Sequence, residues 1–158
     1  MQIILFRHGV AEERRVRRDD SSRELMDDGR RKVLRSAGVI SRILSKEKLL
    51  IWHSPLVRTE QTAEILRTTL GLDGKTPKDW IATGNAEKLK SEIRDTDAKT
   101  LVIVGHAPIL DYWCEDFCGE MIRLKKGAAV CMSGQIDSAM ELVWLMQPKG
   151  WKVFSSIL

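Results

Sequence analysis

Cysteine is scarce in this sequence, with three residues among 158. The number is odd, and the spacing of Cys114, Cys118 and Cys131 does not match the ligand spacing of zinc sites. Cys114 and Cys118 are four residues apart, a separation that would place them on one face of a helix. We therefore expect reduced, unligated thiols rather than a disulfide framework or a zinc centre.

Long hydrophobic runs are absent as well. A membrane-spanning helix needs about 18 apolar residues in succession, whereas an apolar run such as residues 101–105 has only the length of a strand. Residues 1–3 lack the basic segment and the apolar length of a secretory signal. We expect a cytoplasmic protein with no membrane partner.

A strong charge bias is also missing, because 26 basic and 22 acidic side chains give a net charge of only +4. This excess favours mild attraction of anions and does not imply a nucleic-acid partner. Residues 14–18 include four arginines, and Asp19 and Asp20 offset half of that charge directly afterwards. The segment is typical of a solvated loop; the alternative is a surface that meets an acidic partner or covers a bound phosphate.

Linkers, internal repeats and low-complexity tracts are not found either. The chain is 43% hydrophobic, which at this length is enough to build one core. We predict one domain spanning residues 1–158, and a monomer.

The apolar residues fall into short runs typical of strands and longer segments with helical spacing. Strands are predicted at residues 2–6, 49–52 and 101–104, and later at 128–132, 141–146 and 151–154. Helices are predicted at residues 28–45, 57–70, 86–94 and 109–117. This alternation predicts an α/β fold, a three-layer αβα sandwich whose central sheet is mostly parallel, with an antiparallel strand as a candidate at its edge.

Three polar motifs follow the first three predicted strands. Residues 7–9 read RHG, residues 54–63 read SPLVRTEQTA and residues 104–108 read VGHAP. Ligands of open α/β sheets bind at the carboxyl ends of the strands. The sequence therefore predicts that His8, Arg58 and His106 meet in one cleft.

The side chains of these motifs suit a phosphoryl group. Arg7 and Arg58 can each bond two phosphate oxygens through a planar, permanently charged guanidinium. His8 is then the candidate nucleophile, and His106 can donate from a ring nitrogen to a phosphate oxygen. A histidine alone after a strand is more often structural, but this company favours catalysis. Such a site would hold phosphate or a phosphate analogue and would need no metal or other cofactor.

A serine nucleophile is the weaker interpretation of the second motif. Ser54 is followed by Pro55, and no Gly-x-Ser-x-Gly elbow surrounds it. His53 precedes it, but nothing in its context requires chemistry. We expect a structural or supporting role for His53.

These motifs resemble the histidine phosphatase superfamily, also called phosphoglycerate mutase-like, and most closely its small bacterial branch of SixA-type phosphohistidine phosphatases. The resemblance runs along nearly the whole chain and implies the phosphoglycerate mutase-like fold. By this resemblance His8 is phosphorylated in turnover, and Arg58 and His106 match the second arginine and second histidine of the phosphate pocket. Residues 23–29, RELMDDG, resemble the family pattern Arg-Pro-Leu-Thr-x-x-Gly, which aligns Arg23 with a further pocket arginine.

This segment departs from the family pattern at two positions. Glu24 and Met26 stand where the family has proline and threonine. The start of the following helix is then less well specified, and Asp27 or Asp28 is the available cap.

A general acid is the group that this sequence lacks. Larger members of the superfamily place a Glu or Asp after the second helix, where residues 80–87 offer only Glu87. An alkoxide leaving group needs a proton in the transition state, whereas imidazole has a conjugate acid of pKa about 6.5 and can leave without one. The missing acid therefore favours a phosphohistidine substrate, with Glu87 either an acid or a solvent-facing helix residue.

The chain is also too short for the long insertions that build substrate pockets in the sugar bisphosphatases. An open, shallow cleft remains, which suits a phosphorylated side chain on another protein. We predict a metal-independent phosphohistidine phosphatase that acts on a phosphorelay or phosphotransfer protein through phospho-His8. The alternatives are a small-molecule phosphomonoesterase or mutase with Glu87 as acid, and a phospho-ligand binding module without turnover.

Overall fold

The computed structural model describes residues 1–153, and it contains a seven-stranded sheet with helices on both faces. The strands are β1 (Gln2–Arg7), β2 (Leu49–His53), β3 (Thr76–Pro77), β4 (Thr100–Gly105), β5 (Ala129–Ser133), β6 (Glu141–Gln147) and β7 (Gly150–Val153). The helices are α1 (Asp27–Ile43), α2 (Val57–Leu70), α3 (Asp79–Thr83), α4 (Ala86–Asp95) and α5 (Ile109–Cys118), with a 3₁₀ turn at Asp20–Ser22.

The predicted strands and helices are found within two residues of their expected ends. The last strand ends at Val153, so the predicted extension to Phe154 lies outside the described residues. Two short elements, β3 and α3, were not predicted. They have two and five residues, which is too short to show a periodic pattern.

The strand order is β3-β2-β4-β1-β5-β6-β7. Strands β1 to β4 pair in parallel, and β5, β6 and β7 continue the sheet in antiparallel pairs. The α/β prediction is confirmed, although the antiparallel part is three strands wide rather than one edge strand. The connections from β5 to β6 and from β6 to β7 are too short for a helical crossover, and short connections produce antiparallel neighbours.

The side chains of the central strands alternate between two cores. In β1, Ile3 and Leu5 pack with residues of α3, α4 and α5, whereas Ile4 and Phe6 pack with residues of α1 and α2. Three layers result, as predicted. Within residues 1–153, no helix has both the length and the apolar character that a membrane span requires.

Helix α1 begins differently from the sequence prediction. Neither Asp27 nor Asp28 caps it; Met26 occupies the N-cap position and makes no side-chain cap bond. The chain enters the helix one residue early because the Met26 N–H donates to the Val10 carbonyl, 2.9 Å away. Both aspartates lie in the first turn, where the helix dipole favours negative charge.

Two glycines allow α1 to lie directly against the segment that follows β1. A Cβ on Gly29 would lie 2.1 Å from the Val10 carbonyl oxygen, and a Cβ on Gly9 would lie 2.7 Å from Cγ2 of Val33. No larger side chain fits either place without moving the backbone or the helix. The glycine of RHG and the glycine that ends residues 23–29 therefore position His8 against α1.

The cysteines lie away from the carboxyl edge of the parallel strands. Cys114 and Cys118 share a face of α5, with their Sγ atoms 3.8 Å apart, as the helical spacing predicts. All three thiols are free. Burial raises the pKa of Cys131 to about 12, so this thiol stays protonated and unreactive at neutral pH.

Candidate active site

The three sequence motifs meet at the carboxyl ends of β1, β2 and β4. The His8 N–H donates to the Gly105 carbonyl at 3.1 Å, and the Ser54 N–H donates to the Val104 carbonyl at 3.0 Å. A cavity of about 550 Å³ opens there. Five residues predicted from the sequence line it, Arg7, His8, Arg23, Arg58 and His106, together with Val10, Ala11, Glu12, Glu13, Arg14, Ala107 and Lys126.

His8 presents an unprotonated nitrogen at neutral pH. Its Nδ1 lies 2.7 Å from the Gly9 carbonyl oxygen, and because a carbonyl can only accept, Nδ1 must carry the proton. Burial lowers the pKa of His8 to about 3; the bond to Gly9 opposes this shift, and the charges of His106, Arg58 and Arg7 add to it. The lone pair therefore resides on Nε2, which is the state that a nucleophile requires.

The side chain of Arg7, the residue before His8, is held by the loop after α5. Its Nη1 donates to the Leu124 carbonyl at 2.7 Å, and the Leu124 N–H in turn donates to Oδ1 of Asp111 at 3.1 Å. Within residues 1–153, the buried Nε of Arg7 has no partner. An anion in the cavity can supply the missing acceptor.

Arg23 and Arg58 are joined through the carboxylate of Asp20. Arg23 Nε lies 2.9 Å from Oδ1, and Arg58 Nη2 lies 3.2 Å from Oδ2. Arg58 Nη1 also donates to the Asp20 carbonyl at 2.9 Å, and Arg23 Nη1 to the Glu12 carbonyl at 2.7 Å. The two guanidinium groups are therefore fixed side by side before any ligand arrives.

Helix α2 anchors the rest of the site through residues that the sequence analysis did not single out. Thr62 accepts from the Gly9 N–H at 3.2 Å and donates to the Arg58 carbonyl at 2.7 Å. Gln61 accepts from the Leu25 N–H at 2.8 Å, two residues beyond Arg23. The polar residues of the SPLVRTEQTA motif thus position the site, in addition to the arginine that lines the cavity. Their position three and four residues after Arg58 was the available signal.

His106 lies beside His8, with the ring centroids 5.3 Å apart. Its Nε2 is 2.8 Å from Oγ of Ser54, and its buried Nδ1 has no hydrogen-bond partner among the described residues. Burial lowers the pKa of His106 to about 4; Arg58 adds to the shift and Asp20 opposes it. His106 is therefore neutral at pH 7 and carries one ring proton.

Glu87 is not brought to this cavity. It is exposed in the first turn of α4 and lines a separate depression with Ile109, Tyr112 and Trp113. His53 is likewise not among the residues that line the cavity; its Nδ1 donates to the Ser54 carbonyl at 2.8 Å. The structure therefore gives Glu87 no contact with the proposed chemistry.

Glu12 lines the cavity and Asp20 bonds two of its arginines, and both carboxylates are held as anions. A hydrogen bond from Arg17, 2.6 Å from Glu12, lowers the pKa of Glu12 to about 2. For Asp20, partial burial raises the pKa, but the bonds and charges of Arg23 and Arg58 lower it overall. At neutral pH neither group has a proton to donate.

The cavity thus combines an unprotonated imidazole nitrogen of His8 with the guanidinium groups of Arg7, Arg23 and Arg58. A model of the histidine phosphatase superfamily (branch 1) matches residues 3–123 of the chain. The chain belongs to the histidine phosphatase superfamily. An uncharacterized protein from Picosynechococcus sp. is 33% identical over 165 residues, covering 94% of this chain and 98% of the relative.

Solved structures of this superfamily share the fold. The protein histidine phosphatase SixA, determined with tungstate, superposes with a TM-score of 0.84 at 21% identity, covering 94% of this chain and 98% of that one. A putative phosphohistidine phosphatase SixA from Agrobacterium tumefaciens gives a TM-score of 0.79 at 19% identity, with coverages of 93% and 97%. The phosphoglycerate mutase-like fold expected from the motifs is thus confirmed.

Proposed function

We propose that this member of the histidine phosphatase superfamily is a phosphohistidine phosphatase that works through a covalent phospho-His8 intermediate and needs no metal. One observation carries the proposal. The unprotonated Nε2 of His8 belongs to a cavity lined by Arg7, Arg23 and Arg58. Two carboxylates are held as anions there, Glu12 in the lining and Asp20 where it bonds Arg23 and Arg58. This set of groups supplies a nucleophile and positive charge but no protonated carboxyl group.

The reaction has two displacements on phosphorus. In the first, Nε2 of His8 attacks, the P–N bond of the substrate breaks, and its electron pair returns to the substrate ring, which leaves as neutral imidazole because its other nitrogen carries a proton. In the second, water attacks phospho-His8, the bond from phosphorus to Nε2 breaks, and inorganic phosphate leaves with the water's oxygen. His8 recovers its lone pair, so the protein ends the cycle unchanged.

Arg7, Arg23 and Arg58 stabilise the phosphoryl group during both steps. Charge on a phosphoryl group in transfer is spread over three equatorial oxygens, and fixed donors around them lower the barrier. Three guanidinium groups supply that charge in this cavity. We therefore expect turnover to be unaffected by a chelator such as EDTA.

The leaving group decides between the substrate classes. Glu12 and Asp20 are held as anions at neutral pH, and Glu87 lines a different depression. Glu13, the other carboxylate in the lining of the cavity, is exposed to solvent. Without a general acid, an alkoxide leaves only slowly because it is a very strong base. Neutral imidazole, whose conjugate acid has a pKa of about 6.5, is a much weaker base and leaves readily. The site therefore favours phosphohistidine over phosphate esters.

The rim of the cavity supports a protein as the carrier of the phosphohistidine. Arg14 and Lys126 line the cavity and are exposed. Arg15 and Arg18, which follow Arg14 in the sequence, are exposed too. Ion pairing to Glu12 and Glu24 occupies Arg17, but within residues 1–153 Arg14, Arg15 and Arg18 form no ion pair. A phosphorelay or phosphotransfer protein with acidic residues around its histidine would complement this rim.

The SixA structure with tungstate supports a phosphate-analogue site in the same fold. The free thiols fit a cytoplasmic location for such a partner.

A substrate profile tests the proposal. Wild-type protein and the Glu87→Gln variant are assayed for phosphate release from a histidine-phosphorylated transfer domain, from phosphoimidazole and from small phosphate esters, with and without EDTA. We expect turnover of the two phosphoramidates in both proteins and little ester hydrolysis. Rapid ester hydrolysis that collapses in Glu87→Gln, with phosphohistidine ignored, would instead establish the phosphomonoesterase. Tight phosphate binding without turnover of any substrate would establish a binding module.

A further inference from the structure

Ser54 lies at the junction of the second motif and the cavity, and its backbone is fixed from both sides. Its N–H donates to the Val104 carbonyl at 3.0 Å, and its carbonyl accepts from Oγ1 of Thr59 at 2.8 Å. The residue is completely buried. The hydroxyl is therefore held next to the strand that leads into His106.

The direction of the bond between Ser54 and His106 follows from burial. The Ser54 oxygen accepts from the Leu56 N–H at 3.5 Å, so its own hydrogen needs an acceptor. In the described part of the chain, the acceptor within reach is Nε2 of His106, 2.8 Å away. Leaving a buried hydroxyl hydrogen unpaired would be costly. The serine hydroxyl consequently donates, and Nε2 accepts.

This direction decides which nitrogen of His106 is protonated. A neutral imidazole has one N–H and one lone pair, so an accepting Nε2 places the proton on Nδ1. Nδ1 is the buried atom that has no partner within residues 1–153. His106 lines the cavity, so an oxygen of a phosphoryl group bound against this ring would complete the hydrogen bonding of Nδ1. With the opposite tautomer, a lone pair on Nδ1 would repel that oxygen.

We propose that Ser54 is a positioning residue that holds neutral His106 in the Nδ1–H tautomer, so that this histidine donates a hydrogen bond to the transferring phosphoryl group. The inference rests on the proposed phosphatase function and adds a role for the serine of the second motif. Ser54 acts through His106 and does not touch phosphorus. Its hydroxyl fixes where the proton is, whereas Arg58 in the same motif supplies charge.

Nitrogen-15 NMR of the histidines reads this state directly. The chain has three histidines, His8, His53 and His106, so a histidine-labelled sample has few resonances, and the His106→Gln variant assigns those of His106. We expect wild-type His106 at pH 7 to be neutral with the proton on Nδ1. A proton on Nε2, or a charged ring, overturns the proposal without any variant having to fold.

Two variants connect the tautomer with activity. Ser54→Ala removes the donor, and we expect the Nδ1–H preference to be lost, with kcat/KM for phosphohistidine falling about 10- to 100-fold. Thr59→Val is the matched control, because it removes the neighbouring bond to the Ser54 carbonyl but leaves the Ser54 hydroxyl in place. That control should keep the wild-type tautomer.

The outcomes separate this inference from the function it rests on. Loss of the tautomer preference in Ser54→Ala with unchanged turnover overturns the positioning role alone. An Nδ1–H tautomer in a wild-type protein that turns over no phosphohistidine overturns the proposed function and leaves the assignment of the proton intact. A tautomer unchanged in Ser54→Ala shows that another group controls it.

Discussion

At the residue scale, the central property is that two cavity histidines stay uncharged among arginines. His8 and His106 have pKa values lowered to about 3 and about 4, in each case chiefly by burial. Neutrality serves the two rings differently. In the proposed mechanism His8 needs a free lone pair in order to attack, and His106 needs a defined proton in order to donate a hydrogen bond. Burial at the carboxyl end of the sheet keeps both rings neutral and so meets both needs.

These pKa shifts predict a loss of stability in acid. An unfolded histidine titrates near pH 6.5, whereas folded His8 remains unprotonated to about pH 3. Above pH 6.5 neither state binds the proton, but below it the unfolded state does and the folded state does not, so the free energy of unfolding falls as the pH decreases. From pH 7.5 to pH 5.0 the loss due to His8 should be about 2 kcal/mol.

Urea denaturation of wild type and His8→Gln at these two pH values measures that contribution. Both proteins should lose stability in acid because other groups titrate too, but the loss should be about 2 kcal/mol smaller in the variant. Equal losses in the two proteins would show that the pKa of His8 is not lowered.

At the element scale, the important contact is between helix α1 and the segment after β1. Gly29 and Gly9 let the helix approach so closely that the Met26 N–H bonds to the Val10 carbonyl. Helix α2 ties down the same segment from the other side through Thr62 and Gly9. His8 is therefore held by two helices, although it lies on neither.

Replacing Gly29 by alanine should displace α1 from this segment. The added Cβ would lie 2.1 Å from a backbone oxygen, which cannot rotate away. We expect Gly29→Ala to lower the free energy of unfolding by at least about 2 kcal/mol and to reduce kcat. Chemical denaturation and steady-state kinetics measure the two effects.

Gly38→Ala on the same helix is the control. Within residues 1–153, and apart from its chain neighbours and the backbone of its own helix, no atom lies within 4 Å of the added Cβ. Alanine there should therefore stabilise the helix by about 0.4–1 kcal/mol and leave kcat unchanged. A neutral Gly29→Ala would mean that the helix does not depend on this close approach.

The limits of the sequence prediction are also clearest at the level of elements. Apolar periodicity defined the longer helices and strands, because burial of one face or of both faces leaves a repeating pattern. It missed β3 and α3, which are too short to repeat. The motifs predicted that Arg58 and His106 lie at one edge of the sheet. They did not predict that Asp20 bridges Arg58 and Arg23, because Asp20 and Arg58 are 38 positions apart and no motif or periodic spacing links them.

At the scale of the whole molecule, the net charge is only +4, and the segment between β1 and α1 holds exposed arginines next to the cavity. Arg14 lines the cavity, and the exposed Arg15 and Arg18 follow it in the segment between β1 and α1. Arg42, in the last turn of α1, lies at the other end of a 17-residue helix. A partner with acidic residues around its phosphohistidine would be attracted to the cavity end in particular.

Charge reversal at one end tests this attraction. Arg18→Glu should lower kcat/KM for a phosphorylated transfer domain about 10-fold at low salt, and added salt should reduce the difference from wild type. Phosphoimidazole turnover should not change, because Arg18 does not line the cavity. Arg42→Glu introduces the same charge and should behave as wild type. Equal losses in the two variants would remove the partner surface from the account.

Trapping the phosphorylated protein tests the central claim most directly. Wild type is mixed with a phosphohistidine donor, quenched in alkali within the first turnover and digested for mass spectrometry. We expect phosphate on the peptide that contains His8, in a form that is stable to alkali and labile to acid. This phosphate should disappear as turnover is completed, and it should not form in His8→Ala. Phosphate on a different residue, or full turnover by His8→Ala, would contradict it.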